Sequence, residues 1–487
     1  MSSIMETYKK LGEDTHSMEP IRYLQEVNEW WRTGAVAPVF LQPNRRGEFD
    51  ELVGLLDKER ITAIIGPRRV GKTTLMYQLI DHLLQSGMRK ENILFVSMDD
   101  PLITTIAIAG NPLKIIIDEY LEKIIKKPVR NVERLYIVID EIHFLKDWNL
   151  WLKRYYDLKY NIKFIVSSSS ATHLLKFSKE SLVGRITEVK TMPLNFKEFI
   201  KLKGSSDLLK PYATRDLCHI DVDDLFFELT QFQSEIVLYF NEYVVAGGYP
   251  EYFKENDIRI WQDTLLSDVI EKTVYRDIAV LYQIKNPQYL EKILMYIAQN
   301  NCQPVSFNKI AQALSISTDT IINLIYYLES TYLIGSLPLY SKNVKKQIKS
   351  NRKFFIIDSG LRNALLRIRD ITDENTGLLV ESVIDSNLMA TKESRRLPEI
   401  RNISYFRDKQ KHEVDIILEI NGRTVPIEVK YQNHIYDHDL KILLYFMDLH
   451  DLVFGVVITK NLFEQRGNIL CIPAWMFLLI FSNQAAD

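Results

Sequence analysis

The chain lacks the features that mark several common protein classes. Among 487 residues there are only three cysteines, Cys218, Cys302 and Cys471, with no CxxC spacing and no histidine cluster beside them. Neither a disulfide scaffold nor a structural zinc site is expected, and a reducing compartment suits such a chain. A strong net charge is missing too: 61 basic and 63 acidic residues leave a formal charge of −2. No global positive field advertises a polyanion partner, so any such surface must be local. The longest apolar run, "ILCIPAWMFLLIFS", is short for a membrane span and contains Pro473; it reads as a buried strand followed by a helix. The opening "MSSIMETYKKLGEDTHSMEP" has no apolar segment of the signal-peptide kind. A soluble, cytoplasmic protein is the expectation. With 46% hydrophobic and 25% charged residues the composition is that of a globular protein. The length exceeds what one core holds, and about two to four domains are expected.

What is present starts with "ITAIIGPRRVGKTTLMYQLIDHLL". A buried strand, a turn and an amphipathic helix follow one another, and Gly66, Gly71, Lys72 and Thr73 fit GxxxxGK[ST]. In such a loop, Gly66, Pro67, Arg68, Arg69, Val70, Gly71, Lys72, Thr73 and Thr74 form the nucleotide contact. Backbone N–H groups close around phosphate oxygens, and the helix directs its positive end at them. Lys72 is expected to reach the β- and γ-phosphates of ATP, and the Thr73 hydroxyl to ligate Mg2+.

A second apolar strand in "RLYIVIDEIHFLKDW" ends in Asp140 and Glu141. Asp140 suits a hold on the Mg2+ and Glu141 a general base for water. A third strand, "KFIVSSSSATHLL", ends in Ser167–Ser170, whose hydroxyls either sense the γ-phosphate or form a turn. Arg185, after Gly184, is a candidate arginine finger, the alternative being a surface arginine paired with a neighbour.

From Asn286 the pattern outlines a helix-turn-helix, "SFNKIAQALSISTDTIINLIYYLESTYLIGSL", with Ser306 and Ser317 as N-caps. "LIGSLPLY" and "RKFFIID" read as wing strands. The second helix offers Thr318, Asp319, Thr320 and Asn323 but no cation, which argues against sequence-specific base contacts. The connection "SKNVKKQIKSNRK" offers Lys342, Lys345, Lys346, Lys349, Arg352 and Lys353, either for non-specific DNA contact or as a solvated loop.

Near the end, "HEVDIILEINGRTVPIEVKY" reads as a hairpin around Asn421-Gly422, a type I′ signal. That register sets Asp415 opposite Glu428 and Glu413 opposite Lys430 on one face. The other face, Val414, Ile416, Leu418, Val425, Ile427 and Val429, is apolar. Facing carboxylates repel, so a proton or a hard cation such as Mg2+ or Mn2+ is expected between them, with Lys430 beside it as a catalytic group. The alternative is a Glu413–Lys430 ion pair beside two solvated carboxylates.

"GPRRVGKTT", "VIDEIHFLKDW", "SLVGR…PLNFKEF" and "AGGYPEYF" together resemble AAA-type P-loop ATPases of bacteria and archaea that carry a restriction-endonuclease-like C-terminal region, over roughly residues 40 to 480. The resemblance implies a helical lid near residues 195 to 275, with Gly248-Tyr249-Pro250 against the nucleotide. It also implies a nuclease-type site of Asp415 and Glu428-Val429-Lys430 joined by Glu381 from an earlier helix. Where the family carries Gly-Ser-Ser at the sensor position, this chain carries serines throughout.

The expected fold is α/β: an N-terminal helical extension (1–40), an AAA-type core (41–194), a helical lid (195–280), a winged helix (281–368) and a mixed α/β nuclease-like domain (369–487). The expected function is Mg2+-dependent ATP hydrolysis coupled to non-specific DNA binding, with DNA cutting and homo-oligomer formation left open. The alternatives are a slow nucleotide switch whose nuclease-like domain only binds, and an ATP-driven partner in a protein complex with no DNA role.

Overall fold

The computed structural model describes residues 20–169, 182–212, 222–255, 257–372, 376–393 and 400–481. The chain forms two compact units: residues 1–65 with 71–190, and residues 66–70 with 191–487.

The first unit is built on a five-stranded sheet. Its strands are β1 (Ile61–Ile65), β2 (Ile93–Ser97), β3 (Leu135–Asp140), β4 (Ile162–Ser168) and β5 (Ile186–Lys190). They lie in the order β2-β3-β4-β1-β5, and every neighbouring pair is parallel. β1, β3 and β4 are buried at every residue, as continuous apolar strands covered on both faces must be. The helix Lys72–Gln85 packs Leu75, Met76, Leu79, Ile80 and Leu83 against Ile64, Phe95, Val138 and Ile165 of the sheet. The open edge of β2 is capped by the N-terminal segment. The Asn28 carboxamide donates to the Phe95 carbonyl (2.9 Å) and accepts its N–H (2.6 Å), and Trp31 Nε1 donates to the Ile93 carbonyl at 2.8 Å. Side-chain amides here satisfy an edge that would otherwise invite a foreign strand.

The second unit holds helices and two sheets. Helices Phe196–Leu202, Gln233–Ala246 and Ile258–Thr264 precede Leu265–Ile278, a stretch with π-type hydrogen bonding. Helices Gln288–Gln299, Phe307–Leu314 and Thr318–Ser330 then accompany a three-stranded antiparallel sheet of β6 (Gln303–Val305), β7 (Ile334–Leu337) and β8 (Arg352–Ile356), with β8 in the middle. Ser317 caps its helix by accepting the Thr320 N–H at 3.1 Å, whereas the Ser306 side chain makes no cap bond. The basic connection is not a bare loop, since residues 344–349 form a short helix.

The remaining strands are β9 (Ile400–Arg407), β10 (Glu413–Ile420), β11 (Arg423–Val429), β12 (Gly455–Thr459), β13 (Glu464–Arg466) and β14 (Ile469–Pro473). They form a mixed sheet in the order β13-β14-β12-β11-β10-β9. The hairpin has the register read from the sequence: Ile416 faces Ile427, Leu418 faces Val425 and Ile420 faces Arg423. Asn421 and Gly422 both have positive φ (49° and 72°), as a type I′ turn requires. The apolar run at the end is β14 plus the helix Ala474–Phe481, buried throughout. Among the described residues, no helix is long and apolar enough to cross a membrane.

Candidate nucleotide site and C-terminal carboxylate cluster

Because β4 lies between β1 and β3, the C-terminal ends of these three strands carry the loop, the serines and the acidic pair along one edge of the sheet. Two loop positions demand glycine. A Cβ at Gly66 would lie 1.8 Å from the Thr191 carbonyl oxygen, and Gly71 has φ +97°. Pro67 and Val70 are buried, and Lys72 opens the following helix. Thr74 follows on that helix, half-buried.

The Thr73 hydroxyl donates to Asp140 Oδ2 at 2.6 Å. Lys72 Nζ lies 3.9 Å from Glu141 Oε1. Burial pushes the Asp140 carboxyl up to about 6 and the neighbouring Glu141 adds to it; hydrogen bonds from Ser167 and Thr73 and the charge of Lys72 oppose the rise. Ser167 donates to Asp140 Oδ1 and accepts the Glu141 N–H at 2.8 Å. Glu141 itself has φ +48°, a conformation few non-glycine residues adopt and one that clusters at functional sites.

The described part of the serine cluster divides between the strand and its exit. Ser167 and Ser168 are strand residues, not a turn, and the Ser167 hydroxyl is held by Asp140 rather than aimed at a phosphate. Ser168 and Ser169 approach the ring nitrogens of His143 at 3.4 and 3.5 Å. Ser170 lies outside the described residues. His143 is a neighbour that sequence reading missed: its Nδ1 is 3.1 Å from Glu141 Oε2. The clue lay two residues beyond the acidic pair.

Of the two readings of Arg185, its contacts are those of a surface arginine paired with a neighbour. It sits at the start of β5, and its carbonyl accepts the Ile61 N–H. In a parallel sheet this is the end opposite the loop. Arg185 Nε donates to Asp157 at 2.8 Å on the surface.

Within the second unit, the loop arginines are held by acidic residues. Arg68 Nε and Nη2 donate to the two Asp277 oxygens at 2.6 and 2.5 Å, and Arg69 pairs with Glu251 and Asp268. Glu251 directly follows Pro250, which opens the short helix Pro250–Lys254. The preceding glycines are obligatory: a Cβ at Gly247 would lie 2.2 Å from Asp358 Oδ1, and one at Gly248 would lie 2.2 Å from the Leu194 carbonyl oxygen. Asp358 accepts N–H bonds from Gly248 (2.7 Å) and Leu361 (3.1 Å), and burial raises its carboxyl to about 6.

The C-terminal cluster differs from the expected metal pair. Glu381 and Asp385 lie one turn apart on the helix Thr376–Glu393, Asp415 lies on β10 and Glu428 on β11. Beyond Ile416 the hairpin opens. Asp415 Oδ2 accepts the Val429 N–H at 2.8 Å, and the Lys430 N–H turns to the Ile458 carbonyl. Lys430 pairs with Glu428 at 2.7 Å rather than with Glu413. The cation among the other carboxylates is Lys353 of β8, 1% exposed, with Nζ 2.8 Å from Glu413, 3.2 Å from Glu381 and 3.5 Å from Asp415. Burial works against the Lys353 ammonium, but Glu381, Asp415 and Glu413 outweigh it and hold it well above the usual lysine value. Burial raises Glu381 strongly, and both Asp385 and Glu428 to about 7. Lys353 is thus not one of the exposed cations of the basic connection, as its sequence neighbours suggest. Arg352 lies near Glu329 (3.8 Å), while Lys342, Lys345 and Lys346 are exposed and the Lys349 side chain is outside those described.

Residues 58–200 match the model of a family described as an AAA domain. The loop and parallel sheet seen here are those of an AAA-type P-loop domain. Residues 238–372 and 376–477 match two families each described as a domain of unknown function, DUF8612 and DUF4143. An uncharacterized protein of Haemophilus influenzae is 25% identical over 428 residues, 87% of this chain and 94% of its own length. The uncharacterized protein MJ1544 of Methanocaldococcus jannaschii is 27% identical over 400 residues, 81% of this chain and 79% of its own. Among solved structures, the Aeropyrum pernix ORC2 protein aligns with a TM-score of 0.34 at 11% identity, covering 72% of this chain and 98% of that one. AMPPCP-bound DnaA from Aquifex aeolicus aligns with a TM-score of 0.25 at 17% identity, covering 59% and 89%.

In the AAA-type domain, Thr73 and Asp140 bring two oxygen donors into contact, a donor set that fits Mg2+. Glu381, Glu413 and Asp415 do not fit a metal as they stand, because an ammonium group already lies among them; on the other side of Glu381, one ligand atom each from Cys302, Glu381 and Asp385 lies within 4.8 Å of the others, all three buried.

Proposed function

We propose that the protein hydrolyses ATP and that the nucleotide state controls a C-terminal region that binds nucleic acid without sequence preference. The observation that carries the reading is the Thr73–Asp140 contact, flanked by Lys72 and Glu141. Thr73 and Asp140 would hold Mg2+, which supplies charge neutralisation at the β- and γ-phosphates when bound. Lys72 holds phosphate oxygens, and Glu141, set by Ser167 and His143, takes the proton from water. Pro250 and the segment before it belong to the lid, tied to the loop through Glu251 and Arg69. Residues 281–368 are read as a winged helix and 369–487 as a nuclease-like domain. The near-neutral composition and buried Cys302 and Cys471 suit a cytoplasmic protein.

Turnover of the purified protein tests this against Lys72→Ala and Glu141→Gln. Loss of a general base costs on the order of 10²–10⁴-fold in kcat. Glu141→Gln should lose turnover by that factor and still bind nucleotide, while Lys72→Ala should lose both. Unchanged hydrolysis in Glu141→Gln would reassign the base.

A second reading keeps the nuclease-like domain as a binding module only, and the Lys353 ammonium among its carboxylates favours it. Plasmid incubated with Mn2+ and wild type, Asp415→Ala or Lys430→Ala separates the two. Nicking confined to the wild type supports cutting, and no nicking by any supports binding alone.

A further inference from the structure

We propose that Lys353 is the built-in occupant of a divalent-cation site formed by Glu381, Glu413 and Asp415, and that Mg2+ or Mn2+ enters only where this side chain is withdrawn or replaced. One oxygen from each of the three carboxylates lies within 3.5 Å of the ammonium nitrogen, so its three N–H donors have three acceptors. The lysine is fixed from behind. β8 is the middle strand of its sheet, and Lys353 pairs with Pro304 on one side and Leu337 on the other. The Tyr405 ring lies 5.5 Å from Nζ.

Two further buried acids, Asp385 and Glu428, and two further cations, Arg407 against Glu413 (3.4 Å) and Lys430 against Glu428 (2.7 Å), surround this point. Asp385 is fully buried and its Oδ1 has no hydrogen-bond partner among the described residues; the same holds for Oε2 of Glu428, which is 5% exposed. Buried carboxylate oxygens left without donors are costly, and a cation of higher charge is the species that would relieve them. The three donors around Nζ are oxygens, which selects a hard ion, and these carboxylates, now 2.8–3.5 Å from Nζ, need move inward by about 1 Å to reach the roughly 2.0–2.1 Å of Mg2+ coordination. A single positive charge, covalently tethered, thus stands where a doubly charged ion would. This inference rests on the charge and geometry of the cluster and not on ATP hydrolysis, so the two can fail separately.

The test is calorimetric titration of the nucleotide-free full chain with MnCl2, comparing wild type, Asp415→Asn, Lys353→Met, Lys353→Arg and Lys353→Met combined with Asp415→Asn. Lys353→Met should gain one Mn2+ site, bound at least tenfold more tightly than any in the wild type, and the added Asp415→Asn should remove it. Lys353→Arg, which keeps the charge, should behave as the wild type. A folded Lys353→Met protein without a new site overturns the proposal. So does a wild-type Mn2+ site that Asp415→Asn alone abolishes. If Lys353→Met is recovered unfolded, refolding with and without MnCl2 decides: recovery that depends on Mn2+ supports the proposal, and equal outcomes overturn it.

Discussion

Asp140 shows how a single residue trades stability for chemistry. Its carboxyl titrates at about 6, against an ordinary value of 3.8, because it is buried next to Glu141. The folded state therefore binds this proton more firmly than the unfolded chain does. Between about pH 4 and 6 stability falls as pH rises, and above 6 the ionised group remains a standing cost of about 3 kcal/mol. Asp140→Asn is isosteric, and the Thr73 hydroxyl can turn to accept its amide. This variant should be more stable than the wild type at pH 7, by up to about 3 kcal/mol, and should lose the acid-side slope. Its Mg2+-dependent turnover should fall by at least about a hundredfold. Denaturant midpoints measured from pH 4 to 8, beside kcat, check both halves; an Asn variant less stable at pH 7 would show that the carboxylate is not under strain there. That Thr73 and Asp140 belong to one site was legible in the sequence because a phosphate loop and a strand-end carboxylate are local patterns. That Ser167 would serve Asp140 was not, because it follows from β4 lying between β1 and β3, an order that no run of residues states.

Among the elements, strand direction and register decide what can meet. The hairpin register was readable because Asn421-Gly422 fixes the turn and alternation fixes the faces, and a shift by one residue would have put Glu413 and Asp415 on the face that Val414, Ile416 and Leu418 occupy. Which end of the sheet Arg185 occupies follows from strand direction, which the residues around it do not state. The helix Leu265–Ile278 raises a matter of magnitude. It is tied to the loop arginines by Asp277, whose side chain is 4% exposed, and by Asp268, 21% exposed, while Glu251 on the neighbouring short helix is 36% exposed. Removing one member of a buried pair costs about 3–5 kcal/mol, whereas an exposed pair is worth about 0–1. Asp277→Asn should therefore cost about 3 kcal/mol and speed amide exchange along residues 265–278, while Glu251→Gln should change either measurement only slightly. Similar losses in the two variants would mean that the bidentate Arg68–Asp277 pair is not the tie that holds this element.

At the level of the whole molecule, a net charge of −2 leaves the proposed DNA contact to a local patch, and burial of Lys353 makes that patch smaller than the sequence suggested. "SKNVKKQIKSNRK" reads as a run of cations, but Lys353 is turned inward to Glu381, Glu413 and Asp415, and Arg352 lies beside Glu329. No local pattern could have separated Lys353 from its neighbours: its partners lie 28 to 62 positions further along the chain and reach it only through packing of β8 against the C-terminal region. Lys342, Lys345 and Lys346 remain as exposed cations. Each phosphate neutralised contributes about −0.9 to the slope of log K against log salt on duplex DNA. Three contacts give a slope of about −3, where the full run would give about −5. Titrating a duplex of arbitrary sequence at several salt concentrations measures this directly. The slope should flatten toward zero when Lys342, Lys345 and Lys346 are all changed to Gln, and should be the same for unrelated sequences. If nucleotide controls the contact, ATP added to the Glu141→Gln protein should change the slope itself, since the number of phosphates engaged changes; a shift in affinity at constant slope would place the control elsewhere than in this patch. A slope near −5 in the wild type would require further cations on the DNA and would remove the three lysines as its principal footing.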